Sequence, residues 1–176
     1  MQPKLKIMQK KSIGHLIGHI AYIFLYGVLV ISTVFLYNSA NLVKLLYTGW
    51  VILTLGIVFL LWSSKSRKKG HTEDNSSRKA LVESGMYAFV RHPEFLGHIL
   101  IIFALVIISQ HLICLITGAI LIVLLCLAMI EEEKRNIKKF GDSYRDYMKR
   151  VPRINLIVGI IKHSKSKEKK DVMLLL

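Results

Sequence analysis

Acidic residues are scarce in this sequence, and long stretches carry no formal charge. Only 11 Asp and Glu stand against 25 Lys and Arg, giving a formal net charge of +14 at pH 7. A soluble nucleic-acid binder is excluded. The apolar residues, 53% of 176, come in unbroken blocks rather than amphipathic faces, and mean hydropathy is +0.46. The bilayer is the expected solvent, with membrane lipids and no nucleic acid as partners. The two cysteines, Cys114 and Cys126, lie twelve residues apart in one predicted helix. A helical rise of about 18 Å separates them, so they cannot pair with each other. The first apolar block also lacks a small-x-small cleavage site, and it is about twice as long as the apolar core of a secretory signal, so it reads as retained.

That block, Ile13 to Tyr37, has 25 residues without Asp, Glu, Lys or Arg, more than the roughly 20 that cross hydrocarbon as a helix. A second runs from Leu42 to Trp62 with one charge, Lys44, near its start, where a long side chain reaches the headgroups. From Phe95 to Ile130, 36 uncharged residues are interrupted by Ser109-Gln110-His111, which predicts a hairpin of two spans, the first of them short. The expected fold is therefore all-α, an integral membrane bundle of four transmembrane helices, two plus a C-terminal hairpin, with a cytoplasmic C-terminal helical segment. With four spans, 24 of the 25 basic residues fall on one side and only Lys44 on the other. Lys and Arg near span ends are retained in the cytoplasm, which predicts that both termini lie there. Four segments follow: N-terminal membrane helices over 1–62, a polar cytoplasmic loop over 63–78, a core over 79–156 and a basic tail over 157–176 that suits anionic lipid.

Chemistry-bearing residues concentrate in two places. The first runs from Lys79 to Gly97. Glu83-Ser84-Gly85 signals a turn, since glycine reaches positive φ freely, and Pro93 suits the first turn of the third span. The free N–H groups of that helix mouth, with Arg91 and His92 beside it, form a place for a carboxylate or phosphate. The plainer alternative is that Arg91 anchors to lipid phosphates.

The second place follows the fourth span. Glu131, Glu132 and Glu133 stand against the membrane on the side otherwise reserved for bases. Pairing with Lys134, Arg135, Lys138 and Lys139 one turn on explains solubility but not why the acids come first, where burying a carboxylate is costly. Such a cluster suits a cation. Gly141 should end this helix and Asp142 cap the next, which should stop before Pro152. A tight hairpin would bring the Arg91-His92-Pro93 mouth near the glutamates, and a small zwitterion would fit between them.

At these residues the chain resembles the membrane methyltransferase family that includes isoprenylcysteine carboxyl methyltransferases and phospholipid N-methyltransferases. Three pieces match in order: Leu81-Val82-x-x-Gly85-x-Tyr87; then Arg91-His92-Pro93-x-Phe95-x-Gly97; then Glu132-Glu133 with Phe140-Gly141-x-x-Tyr144-x-x-Tyr147 and Arg150-Val151-Pro152. The resemblance implies S-adenosylmethionine as methyl donor and a lipophilic acceptor entering from the bilayer. By position it implies that Lys79, Leu81, Val82, Gly85, Tyr87, His92, Pro93, Glu94 and Phe95 line the cofactor, that Glu132 and Glu133 hold its polar groups, and that Arg91 and Glu133 serve catalysis.

There are departures from the family pattern. Phe95 stands where the family usually has tyrosine. The isoprenylcysteine branch often carries an arginine just before the glutamate pair, where this chain has Ala128, Met129 and Ile130, and Arg145, Arg150 or Arg153 would substitute if the tail folds back. No glycine-x-glycine of the phospholipid branch stands near Gly85. The expected activity is carboxyl methylation of an isoprenylcysteine-like acceptor. The alternatives are N-methylation of a phospholipid headgroup and a small membrane subunit without enzymatic activity. A carboxylate acceptor is already nucleophilic, whereas an amine would need Glu132, Glu133 or His92 as base. The i, i+4 pair His15/His19 and the pattern His92-x-Glu94-x-x-x-His98 lack a credible third ligand, so no metal is expected.

Overall fold

The computed structural model describes residues 3–72 and 81–174, with side chains described over 17–68 and 81–165. Every regular element among the described residues is helical: α1 (Pro3–Phe35), α2 (Val43–Thr72), a short 3-10 helix (Gly85–Ala88), α3 (Pro93–Ser109), α4 (Leu112–Phe140), α5 (Asp142–Arg150) and α6 (Leu156–Leu174). Three stretches, Ile17–Phe35, Val43–Lys68 and Leu112–Phe140, are long and apolar enough to cross a membrane. The 17 residues of α3 are apolar but shorter. At 1.5 Å per residue they reach about 26 Å, just under the roughly 30 Å of a hydrocarbon core.

The chain divides into two compact units. One comprises Met1–Leu53 and Ile102–Leu127. Its connections are tied by the backbone: Asn38 N–H donates to Ile108 O at 3.0 Å and Ser39 N–H to Ser109 O at 3.0 Å. The Gln110 amide closes the clasp by pairing with both the N–H and the C=O of Leu42, each at 3.0 Å. Asn38, Asn41 and Gln110 adopt positive φ, a conformation that asparagine tolerates better than most residues. The interruption expected at Ser109-Gln110-His111 is therefore a real helix break.

The other unit comprises Thr54–Ile101 and Ala128–Leu176. Here α2 and α3 approach through glycine. A Cβ on Gly56 would lie 3.1 Å from Ile101 N and 3.2 Å from Gly97 O, so small residues set this backbone approach. Tyr144, Tyr147 and Val151 form a buried cluster with Leu81, Ile137, Phe140 and Met148 around it. The Tyr147 hydroxyl donates to Tyr87 O at 2.7 Å, pinning α5 to the 3-10 helix. The start of α6 is seated by Gly159, where a Cβ would stand 1.9 Å from Phe89 O, and the His163 ring lies 4.8 Å from that of Phe89.

Two expectations need correction. The polar loop drawn over 63–78 starts too early, because α2 continues to Thr72. Residues 63–69 contain neither proline nor glycine, Lys and Arg are good helix formers, and Ser63 and Ser66 are buried. Asp142 is the first residue of α5 rather than its cap. That position is taken by Gly141 at φ 60°, which also ends α4 as expected. The predicted starts and stops at Pro93 and before Pro152 agree with α3 and α5.

Candidate functional site

The site is assembled around a buried carboxylate. Leu121, Leu125, Met129 and Glu133 recur every fourth residue on one face of α4 and are all buried. Helical spacing thus carries Glu133 inward where an apolar residue would continue the series. A buried carboxylate is costly unless charge and hydrogen bonds compensate it, and here three side chains do so. Arg153 grips it with both ends of its guanidinium, Nη2 at 2.5 Å from Oε2 and Nε at 3.2 Å from Oε1. Arg91 Nη1 lies 3.0 Å from Oε1, and His92 Nε2 lies 3.3 Å from the same oxygen.

Local backbone explains the convergence. Arg91 N–H donates to Pro152 O at 3.0 Å and His92 N–H to Arg153 O at 3.1 Å, so the strap after α5 lies alongside the entry to α3. Proline at 152 stops α5 and extends the residue before it, so the carbonyls of Pro152 and Arg153 lie outside the helix and accept from Arg91 and His92. The His92 ring meets Phe95 edge-on, centroids 5.4 Å apart. Burial holds the His92 imidazole below the ordinary histidine range. Glu132 and Glu133 oppose that shift and Arg91 adds to it, leaving a neutral ring at pH 7.

A second ionic group adjoins the first at the start of α3. Arg67, from the end of α2, pairs with Glu94 in the first turn of α3, and its Nε donates to the Tyr87 hydroxyl at 3.1 Å. Ser63 Oγ is 3.5 Å from that hydroxyl. Glu132, half-buried, lies within electrostatic reach of Arg67, Glu94 and His92. Burial raises the Tyr87 phenol, which therefore stays protonated. Three arginines thus face three glutamates, with neutral His92 and Tyr87 among them. Two buried nitrogens of Arg91, Nε and Nη1, have no hydrogen-bond partner among the described residues, although Nη1 touches Glu133 as an ion pair. A buried guanidinium with donors to spare is a place for an anionic ligand atom.

The structure brings together Arg91, His92, Pro93, Glu94, Phe95, Tyr87, Glu132 and Glu133. For others it shows packing contacts. Leu81 packs against the tyrosine cluster of α5, and Gly85, at φ 62°, turns the chain so that a Cβ there would meet Ser66 Oγ at 2.6 Å. Val82 is half-buried beside them. Lys79 lies outside the described residues. Glu133, expected to offer its charge to a ligand, is engaged in this structure by Arg91, Arg153 and His92. Of the three arginines that stood as substitutes, only Arg153 reaches the site. Arg150 pairs with Glu83 at 2.9 Å, and exposed Arg145 pairs with Asp142 at 3.1 Å. Sequence reasoning missed Arg67, Ser63 and Ser66. Their i, i+3, i+4 spacing on a continued α2 was the available signal.

No curated protein and no solved structure matches the chain. A family model described as protein of unknown function (DUF1295) matches residues 5–151, a span that includes Arg67, Arg91, His92 and Glu133 and ends just before Arg153. The chain belongs to this DUF1295 family.

Proposed function

We propose that the protein is an S-adenosylmethionine-dependent methyltransferase that works at the membrane on a lipophilic acceptor, most simply a carboxylate of isoprenylcysteine type. The proposal includes α3 as a fourth, short span in a hairpin with α4, and both termini on the cytoplasmic side with most of the basic residues. The observation that carries it is the buried Arg91, whose Nε has no hydrogen bond and whose Nη1 is held only by the Glu133 ion pair, inside a charge-balanced set of three arginines and three glutamates. A zwitterionic amino-acid group carrying a nearby sulfonium has the complementary pattern.

These residues fit such a cofactor. Arg91 would take its carboxylate, and Glu94 and Glu132 would supply negative potential for its cationic part. Glu133 would act indirectly, holding Arg91 and Arg153 in place, which is a change from the direct contact that the resemblance implies. When bound, the cofactor would supply an electrophilic methyl group open to direct displacement. The protein's share is alignment and exclusion of water, and buried Tyr87 and His92 with half-buried Phe95 serve both. Arg153, whose side chain is 45% exposed, remains within reach of an incoming carboxylate and stands in for the arginine missing before the glutamate pair. That favours a carboxylate acceptor, which needs no base. His92, buried 3.3 Å from Glu133 and held below the ordinary histidine range, keeps an amine acceptor as the second reading, since a neutral imidazole can take a proton.

The test is transfer of labelled methyl from S-adenosylmethionine by the purified, lipid-reconstituted chain. Prenylcysteine analogues and amino-headgroup phospholipids would be offered in parallel. Base-labile label on the prenylcysteine analogue is expected. Label only on the phospholipid amine would transfer the proposal to the second reading, and no label on any lipophilic acceptor, despite intact helicity, would contradict it.

A further inference from the structure

A groove of about 610 Å3 opens beside the end of α2, lined by Val58, Leu61, Trp62, Lys65, Ser66 and the Ser84–Gly85 turn. Its size is within the roughly 300–1,000 Å3 of small-ligand sites. None of the ion-paired residues described above lines it, although it shares Ser66 and Gly85 with the edge of the candidate site.

The wall follows from helical spacing. Val58, Leu61, Trp62 and Lys65 fall at i, i+3, i+4 and i+7 and so form one stripe along α2. The first three are exposed, at 49%, 67% and 53%, within a segment long and apolar enough to span a membrane. Lys65 closes the stripe in the last turn of that segment. Across the groove the surface is polar and held by short contacts. Ser66 Oγ accepts from Met86 N–H at 3.4 Å, and Gly85 lies so close to Ser66 that only glycine fits. Among the described residues that line the groove, one is basic, two carry hydroxyls and none is acidic.

An apolar stripe leading to an aromatic ring and then to a lysine has the polarity of one lipid molecule at the edge of a bilayer. Tryptophan favours that depth and lysine reaches the headgroup from it. The geometry points to a binding site for an anionic membrane lipid, its chain along Val58, Leu61 and Trp62 and its phosphate or carboxylate at Lys65 and the serine hydroxyls. Charge complementarity selects the occupant: among the described residues of the lining, a zwitterionic headgroup would find a lysine for its phosphate and no acid for its amine.

The chain holds only two tryptophans, Trp50 and Trp62, so Trp50→Phe leaves Trp62 as the sole reporter. The full chain with that change is reconstituted in phosphatidylcholine vesicles containing a minor fraction of lipid brominated on the chain near the headgroup. The brominated lipid is either phosphatidylglycerol or phosphatidylcholine. One lysine near the surface should give about fivefold preferential quenching by the anionic lipid. Lys65→Glu should abolish the preference, Lys65→Arg should keep it, and inorganic phosphate in the buffer should leave it unchanged. Equal quenching by the two lipids, or a preference untouched by Lys65→Glu, would overturn the assignment. So would loss of the preference to inorganic phosphate, which would make this a site for a free anion. Shielding of Trp62 from both lipids would also overturn it, because protein would then cover the groove.

Discussion

Glu133→Gln is the most informative single change. It keeps the shape of the side chain and removes the charge that Arg91, Arg153 and His92 surround. The guanidinium of Arg153 is 45% exposed and can turn to water, so its share of the loss is discounted. Arg91 cannot, because its side chain is only 8% exposed and its Nε and Nη1 have no hydrogen bond to fall back on. Removing one partner of a buried ion pair typically costs about 3–5 kcal/mol, since the other charge stays buried and uncompensated. The amide retains some hydrogen bonding, which places the expected loss near 3 kcal/mol. For a chain of this length that corresponds to a fall in Tm of roughly 6–12 °C. The assay is thermal unfolding followed by circular dichroism in one detergent, with Arg91→Gln and the double variant alongside. If the pair is the source, the double variant should lose at least about 1 kcal/mol less than the two single losses added together. A Glu133→Gln protein melting within about 1 °C of wild type, or strictly additive losses, would refute a buried carboxylate holding Arg91 in place.

Three further outcomes follow from the same structure. Gly159→Ala should lower stability by about 1–3 kcal/mol and expose α6 to limited proteolysis, because its Cβ would meet the Phe89 carbonyl oxygen at 1.9 Å and the backbone must move. Tyr147→Phe should cost about 1–2 kcal/mol in the same melting assay, since it leaves the buried Tyr87 carbonyl without the donor now at 2.7 Å. Burial lowers the folded His92 pKa below its ordinary 6.5, so between the two values the unfolded chain binds more protons than the folded one. His92 therefore costs nothing above about pH 7 and destabilises as pH falls through 6.5, and melting curves of His92→Asn between pH 7.5 and about 5 should be flatter than those of wild type.

Much of the architecture was legible because its signals are local. Pro93 and Pro152 mark a helix start and a helix stop, Gly141 takes the positive φ that ends α4, and Ser109-Gln110-His111 breaks one apolar run into a hairpin. The end of α2 was not legible in the same way. Serines and lysines after Trp62 read as a solvated loop, and only the burial of Ser63 and Ser66 against the Gly85–Ala88 segment shows why the helix persists. At the site, residue types and spacing pointed to Arg91, His92 and the glutamates as neighbours. The sequence could not say which cation each glutamate meets, because partners such as Arg153 are chosen by where the strap after α5 returns. Glu133 is likewise a residue whose two arginine partners the sequence did not reveal. Its four-residue spacing from Leu125 and Met129 was the available clue.

Equilibrium binding of labelled S-adenosylmethionine to the purified chain, wild type beside Arg91→Gln, tests the central claim most directly. Arg91 carries the buried donors left for a ligand carboxylate, and a hydrogen bond to a charged group is worth about 1.5–3 kcal/mol. The account predicts saturable binding by wild type and at least about a tenfold weaker Kd in the variant at unchanged helicity. Absence of binding by folded wild type, or equal affinity in the two proteins, would contradict it.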